Sequence, residues 1–179
     1  PHRRVCIASI ISGALALAAS AGAANVPLPS GCESAGAGVA AAAAPAPSAF
    51  PPVQLQVRTP LEPTVLPSAG RNYLVYEVHL QNFSADAMTL RGLQVLDADK
   101  ANAGPIADIR EAQLDVRLRR VTIGDNAGGN RSLAPGQGAT AFLCLAFDSS
   151  TPVPARLRHR VLLDGAVADG PVIGTRTTP

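Results

Sequence analysis

Between Tyr73 and Asn82 the side chains alternate, with Leu74, Tyr76, Val78 and Leu80 on one side and Glu77, His79 and Gln81 on the other. Successive residues of a strand point to opposite faces, so this run has one packed face and one wet face, and it needs a second layer to pack against. Val53, Leu55 and Val57 alternate in the same way with Gln54, Gln56 and Arg58, and the prolines at 60, 63 and 67 end that pattern. Ser84-Ala85-Asp86 reads as a turn into a second strand, Met88 to Ala98, with Gly92 as a bulge. Leu133-Ala134-Pro135-Gly136 is a turn before Ala139 to Phe147, a run apolar on both faces and therefore central. Arg156 to Asp164 is another strand, and Val172 to Thr177 a last one at an edge. Residues 109 to 121 fit two templates, a strand through Leu114, Val116 and Leu118 or a helical stripe through Leu114, Leu118 and Val121; the helix formers between them favour a short helix. Gly124 to Asn130 reads as a loop. About seven short strands separated by turn signals predict an all-β fold, an immunoglobulin-like antiparallel β-sandwich with one short helix.

The sandwich is assigned to residues 53–179 because the chain before it cannot form a core. Of the 179 residues 47% are hydrophobic, but many of these are alanines before Phe50; aromatics are 3% and tryptophan is absent, so the core falls to Leu, Val and Ile. Residues 25–52, ending Pro45-Ala46-Pro47-Ser48-Ala49-Phe50-Pro51-Pro52, read as a disordered Ala/Pro/Gly-rich linker. Residues 1–24 read as a secretory signal peptide, with His2, Arg3 and Arg4 as the basic start, Val5 to Ala18 as the apolar stretch and Ala21-Gly22-Ala23 as the cleavage site. The stretch is short, is interrupted by Ser9, Ser12 and Gly13, and lacks a basic stop, so no membrane span is expected after cleavage. The signal peptide implies a periplasmic or secreted location, and with it a compartment that permits disulfides. Cys32 lies in the linker and Cys144 in the apolar run Phe142-Leu143-Cys144-Leu145, which favours an unpaired, buried Cys144. Leu28-Pro29-Ser30-Gly31-Cys32 approaches a lipobox, but Pro29 stands where an aliphatic residue belongs.

Chemistry is sparse. A formal charge of +2 is too mild to imply nucleic-acid binding. His79 and His159 are the histidines that survive signal removal; neither is spaced from a second histidine as a metal ligand, and G-x-S-x-G does not occur. Asp97-Ala98-Asp99 followed by Asp108 approaches a calcium loop, but Ala101 and Asn102 stand where such a loop needs a ligand and a glycine. No catalytic residue, cofactor or metal is therefore expected. Asn82-Phe83-Ser84 and Asn130-Arg131-Ser132 are formal glycosylation sequons. Glu77 and His79 share the wet face of their strand, where a solvated pair is expected. Arg156, Arg158 and Arg160 alternate with Leu157, His159 and Val161, which projects three guanidinium groups from one face and turns His159 inward. Such a stripe suits a glycan-binding or domain-docking face, or it blunts edge pairing.

Three segments together carry a family resemblance: Gly70 to Ser84 (GRNYLVYEVHLQNFS), Leu90 to Asp97 (LRGLQVLD), and Leu133-Ala134-Pro135-Gly136 with Pro154 to Arg160 (PARLRHR). They resemble the N-terminal β-sandwich region of exported LytM-type (lysostaphin-like) zinc peptidases of proteobacteria. The resemblance implies an accessory module that precedes a peptidoglycan-cutting domain, with Val172 to Pro179 at the start of the connection. Neither the H-x-x-x-D nor the H-x-H pattern of that catalytic domain occurs here, so no catalytic residue is carried over. The expected partners are a downstream catalytic domain or peptidoglycan; the alternative is a stand-alone periplasmic binding or inhibitor-like sandwich.

Overall fold

The computed structural model describes residues 26–36, 53–121 and 131–177. The expected signal peptide, residues 37–52 of the expected linker and the 124–130 loop lie outside them. The described elements are β1 (Glu33–Ser34), β2 (Leu55–Arg58), β3 (Thr64–Ser68), β4 (Arg71–Asn82), β5 (Met88–Asp97), β6 (Ala107–Arg110), α1 (Glu111–Arg117), β7 (Leu118–Arg120), β8 (Ser132–Leu133), β9 (Gly138–Asp148), β10 (Arg156–Leu163), β11 (Ala166–Gly174) and β12 (Arg176–Thr177).

They form the expected all-β sandwich. The first sheet runs β1-β9-β4-β3-β12, with β2 also beside β4 and β7 beside β9; the second runs β11-β10-β5-β6, with β8 beside β5. Leu74, Val78, Leu80, Leu143, Leu145 and Phe147 face Leu90, Leu93, Val95, Leu157 and Val161, all almost fully buried in one core. The alternation in β4 is as its sequence predicts: Leu74, Tyr76, Val78 and Leu80 are buried, while Glu77 is exposed and His79 and Gln81 partly so. β9 is central, bonded to β4 on one side and to β1 and β7 on the other. The bulge near Gly92 is present: Leu162 pairs with Gly92 but Leu163 with Leu90, which leaves Arg91 as the extra residue. The β3–β4 hairpin closes on Ala69 and Gly70, both at positive φ (47° and 74°), the backbone that a twisted two-residue hairpin demands.

Three expectations are corrected, while the short helix expected within residues 109–121 is present. The strands number twelve among the described residues, not about seven, because two- and three-residue pieces fill in along the edges. Two of those pieces pair in parallel, β1 with β9 and β12 with β3, so the sheets are not purely antiparallel. The 109–121 segment is both of its templates in turn: Ile109 lies in β6, α1 comes next, and Leu118 opens β7. Finally, residues 26–36 are not a disordered linker. Ala35 donates its N–H to Ala146 O and is buried in the core, and Gly36 N–H reaches Ile106 O. A segment of small residues suffices here because β9 offers an open edge rather than a cavity.

The pairing of Glu33 with Leu145 puts Cys32 beside Cys144, and the two form a disulfide with a Cα–Cα distance of 4.5 Å. This corrects the unpaired reading. Leu143 and Leu145 face the core, so Cys144 points out of the sheet and is not a buried thiol. Arg117 of α1 adds a second clasp on this segment through Gly31 O at 3.3 Å and the Glu33 carboxylate.

Leu80→Ala should lower stability by roughly 2–5 kcal/mol, and Val75→Ala, on the exposed side of the same strand, by less than about 1 kcal/mol. Urea denaturation of both variants checks this. Replacing Cys32 and Cys144 together with serine should cost about 2–5 kcal/mol, because the bridge closes a loop of 112 residues.

Candidate functional site

The arginine stripe lies where its alternation predicts, on the outer face of β10, but it is largely neutralised. Arg156 Nε donates to Asp99 Oδ1 at 2.8 Å, and Arg160 grips Asp169 with Nε and Nη2 at 2.7 and 2.9 Å. Those hydrogen bonds, with the attraction of each carboxylate, raise both guanidinium pKa values further above the ordinary range. Arg158 stands between them, with Leu96 and Val172 as its neighbours in register. The same face continues into Gln94, which donates to Asp108, itself held by Arg110. Opposite charges paired across neighbouring strands stabilise a sheet surface, and they leave little uncompensated charge for an anionic ligand.

The aspartates of the calcium-like segment are likewise occupied by cations: Asp97 by Lys100 at 3.2 Å, Asp99 by Arg156, Asp108 by Arg110. Among the described residues no group of three or more His, Cys, Asp or Glu side chains is arranged to hold a metal. Asn82 of the first sequon is fully buried. Its Nδ2 donates to Asp86 O and Leu133 O while its Oδ1 accepts from Ser84 N–H and Oγ–H. This asparagine clamps the β4–β5 turn to β8, so its amide is spent on structure. Asn130 of the second lies outside the described residues.

His159 turns inward as its alternation predicts, and it finds a partner that the sequence did not announce. Tyr76 comes from the opposite sheet, and a 2.9 Å hydrogen bond joins its Oη to His159 Nε2 inside the core. Burial pushes the His159 pKa down to about 4 and the tyrosine's up, so both stay neutral at pH 7. This satisfies two buried polar groups and ties the sheets together. It also keeps the imidazole out of reach of a substrate.

The outer face of the first sheet is divided. At one end stand polar groups: Gln81 donates to Gly136 O, and Arg58 and Thr140 are the register partners of His79. At the other end Val75 and Phe142 are exposed as diagonal neighbours on β4 and β9, Val75 opposite Cys144 and Phe142 opposite Glu77, with Leu66 on β3 beyond them. The chain between β2 and β3 folds beside these side chains, so that Pro60, Leu61 and Pro63 complete a groove of about 430 Å³. Glu77 lines its rim and accepts a 2.9 Å hydrogen bond from His79 Nε2. The solvated Glu77–His79 pair is as the sequence suggests, but it borders an apolar groove that the sequence reading missed. Its one signal was Val75, which breaks the polar run of the wet face. A second cleft of about 440 Å³ lies beside Ser84, Asp86, Met88 and Asp164, and Arg91 binds the Asp164 carboxylate.

No family model matches the chain, and no curated protein or solved structure is detectably similar to it. The site is therefore read from its own geometry.

Between pH 6.5 and pH 4 the unfolded chain binds a proton at His159 that the folded chain refuses, so stability is full above about pH 6.5 and falls as the pH drops toward 4. The expected loss is on the order of 3 kcal/mol across that window. Urea melts of the parent and of a Tyr76→Phe/His159→Leu variant at pH 7.5 and 4.5 check it, because the variant should lose markedly less.

Proposed function

We propose that this chain is an exported, non-catalytic β-sandwich module of the bacterial cell envelope, the accessory domain of a LytM-type peptidoglycan metallopeptidase. The observation that carries export is the Cys32–Cys144 disulfide. Cytosolic thiols are kept reduced, whereas a bridge that anchors an edge strand suits the periplasm or the exterior. It agrees with the signal-peptide pattern of residues 1–24. The accessory role rests on the family resemblance and on a surface built for contact rather than chemistry. His159 is committed to Tyr76 in the core and His79 to Glu77 on the surface, and the exposed apolar groove is a contact feature.

The same groove supports a second reading, a stand-alone periplasmic binding or inhibitor-like sandwich. In either case the module works by holding something and not by transforming it.

Mass spectrometry of the exported protein should find an N-terminus at Ala24 or Asn25 and a mass that retains the disulfide. Recovery of intact, reduced chain from the cytoplasm alone would refute export. Purified protein should carry no stoichiometric zinc and release no cross-link peptides from cell-wall sacculi. A tightly held zinc lost on His79→Ala would overturn the non-catalytic reading.

A further inference from the structure

We propose that the groove on the outer face of the first sheet binds an extended, apolar polypeptide segment that carries one basic side chain and comes from outside residues 1–179. This deepens the docking role proposed above and rests on it. Of the nine large hydrophobic side chains exposed among the described residues, four converge on this groove: Leu61 at 80%, Leu66 at 45%, Val75 at 57% and Phe142 at 47%. Others stand on separate elements, as Phe83 does after β4 and Val116 on α1. Scattered exposed hydrophobics are ordinary, whereas a contiguous set rimmed by polar groups marks an interaction surface. Pro60 and Pro63 stiffen the wall, which reduces the ordering cost of binding. A volume of about 430 Å³ accommodates a few side chains of an extended segment.

Charge selects the occupant further. Many of the described carboxylates are answered by Arg or Lys, among them Glu62 at the same groove by Arg176, Asp97 by Lys100, Asp99 by Arg156 and Asp169 by Arg160. Glu77 is bonded instead to an imidazole, its side chain is 47% exposed, and it stands at the rim of the apolar groove. A Lys or Arg beside the occupant's apolar residues would pair with the exposed Glu77 carboxylate alongside His79, in surroundings partly shielded from water where such a bond is strengthened. A second copy fits less well, because a two-fold contact through this groove brings Glu77 toward its own counterpart. Residues 37–52 and 122–130 of the chain contain no Lys or Arg, so neither provides the cation.

The test is selection of random displayed peptides on the exported, processed, disulfide-bonded protein, followed by affinity measurements with the synthesised winners. Selected sequences should combine large apolar residues with Lys or Arg. Their affinity should fall at least about tenfold on Phe142→Ser, and a selection repeated on Glu77→Arg should yield acidic peptides instead. Leu61→Asp, in an exposed loop, gives the same readout should Phe142→Ser compromise folding. Failure to enrich any peptide, enrichment of acidic peptides on the parent protein, or binding indifferent to Leu61→Asp would overturn the proposal. A dimer in sedimentation that Leu61→Asp dissociates would overturn it in favour of a second copy. Because the selection and its groove variants do not depend on export or on cell-wall activity, their failure leaves the export and cell-wall measurements to judge the module's role separately.

Discussion

Eleven residue pairs join β4 to β9, from Arg71 opposite Asp148 to Gln81 opposite Gly138, and the rest of the sandwich is arranged around that antiparallel ladder. β2 and β3 attach to the free side of β4, β1 and β7 to the free side of β9, so the outer edge of each central strand is partly covered. The inner face of the pair supplies Leu74, Val78, Leu80, Leu143 and Leu145 to the core, and Tyr76 reaches from it to His159 on the facing sheet. Its outer face carries the Cys144 half of the disulfide and the Val75–Phe142 floor of the groove. One register therefore fixes the core, the inter-sheet hydrogen bond, the N-terminal anchor and the candidate surface. A slip of one residue would exchange inner for outer side chains along whichever strand moved and disrupt the core and the groove together.

The two outer faces of the sandwich differ in kind. On the second sheet, arginine meets aspartate across β10, β11 and the β5–β6 region, and the face is nearly neutral in detail despite its many charges. Exposed pairs of this kind add little stability individually, but they leave no strong field for a ligand. On the first sheet the polar groups gather at one end and the apolar side chains at the other, and the loop holding Pro60 and Pro63 deepens the apolar end into a groove. Of the stripe that looked most suggestive in the sequence, Arg156 and Arg160 are thus held by Asp99 and Asp169, with Arg158 between them.

How much of this the sequence disclosed depended on the range of the interactions involved. The long strands β4, β5, β9 and β10 were legible because burial of one face writes period two into the side chains themselves, and the inward turn of His159 came from the same period. β1 was not legible, since a two-residue strand of small residues takes its conformation from the edge of β9 and not from its own pattern. The disulfide was misread for a specific reason: an apolar run around Cys144 suggested burial on both sides, although the parity of Leu143 and Leu145 points Cys144 outward. The partners of Arg156 and Arg160 depend on Asp99 and Asp169, and only the order of strands brings these within reach. The groove needed the same knowledge of order, because its side chains come from three separate stretches of chain, Leu61 with Leu66, Val75, and Phe142.

Native-state amide hydrogen exchange, read residue by residue with and without a dithiol reductant, tests the claim that the β4–β9 ladder is the spine and the N-terminal segment its disulfide-held attachment. Amides of residues 74–80 and 141–147 should exchange slowest and open only with global unfolding, while Ala35 exchanges faster through local opening and loses its protection selectively on reduction. Central amides that exchange as readily as those of β3 and β12, or an Ala35 amide indifferent to reduction, would contradict the account.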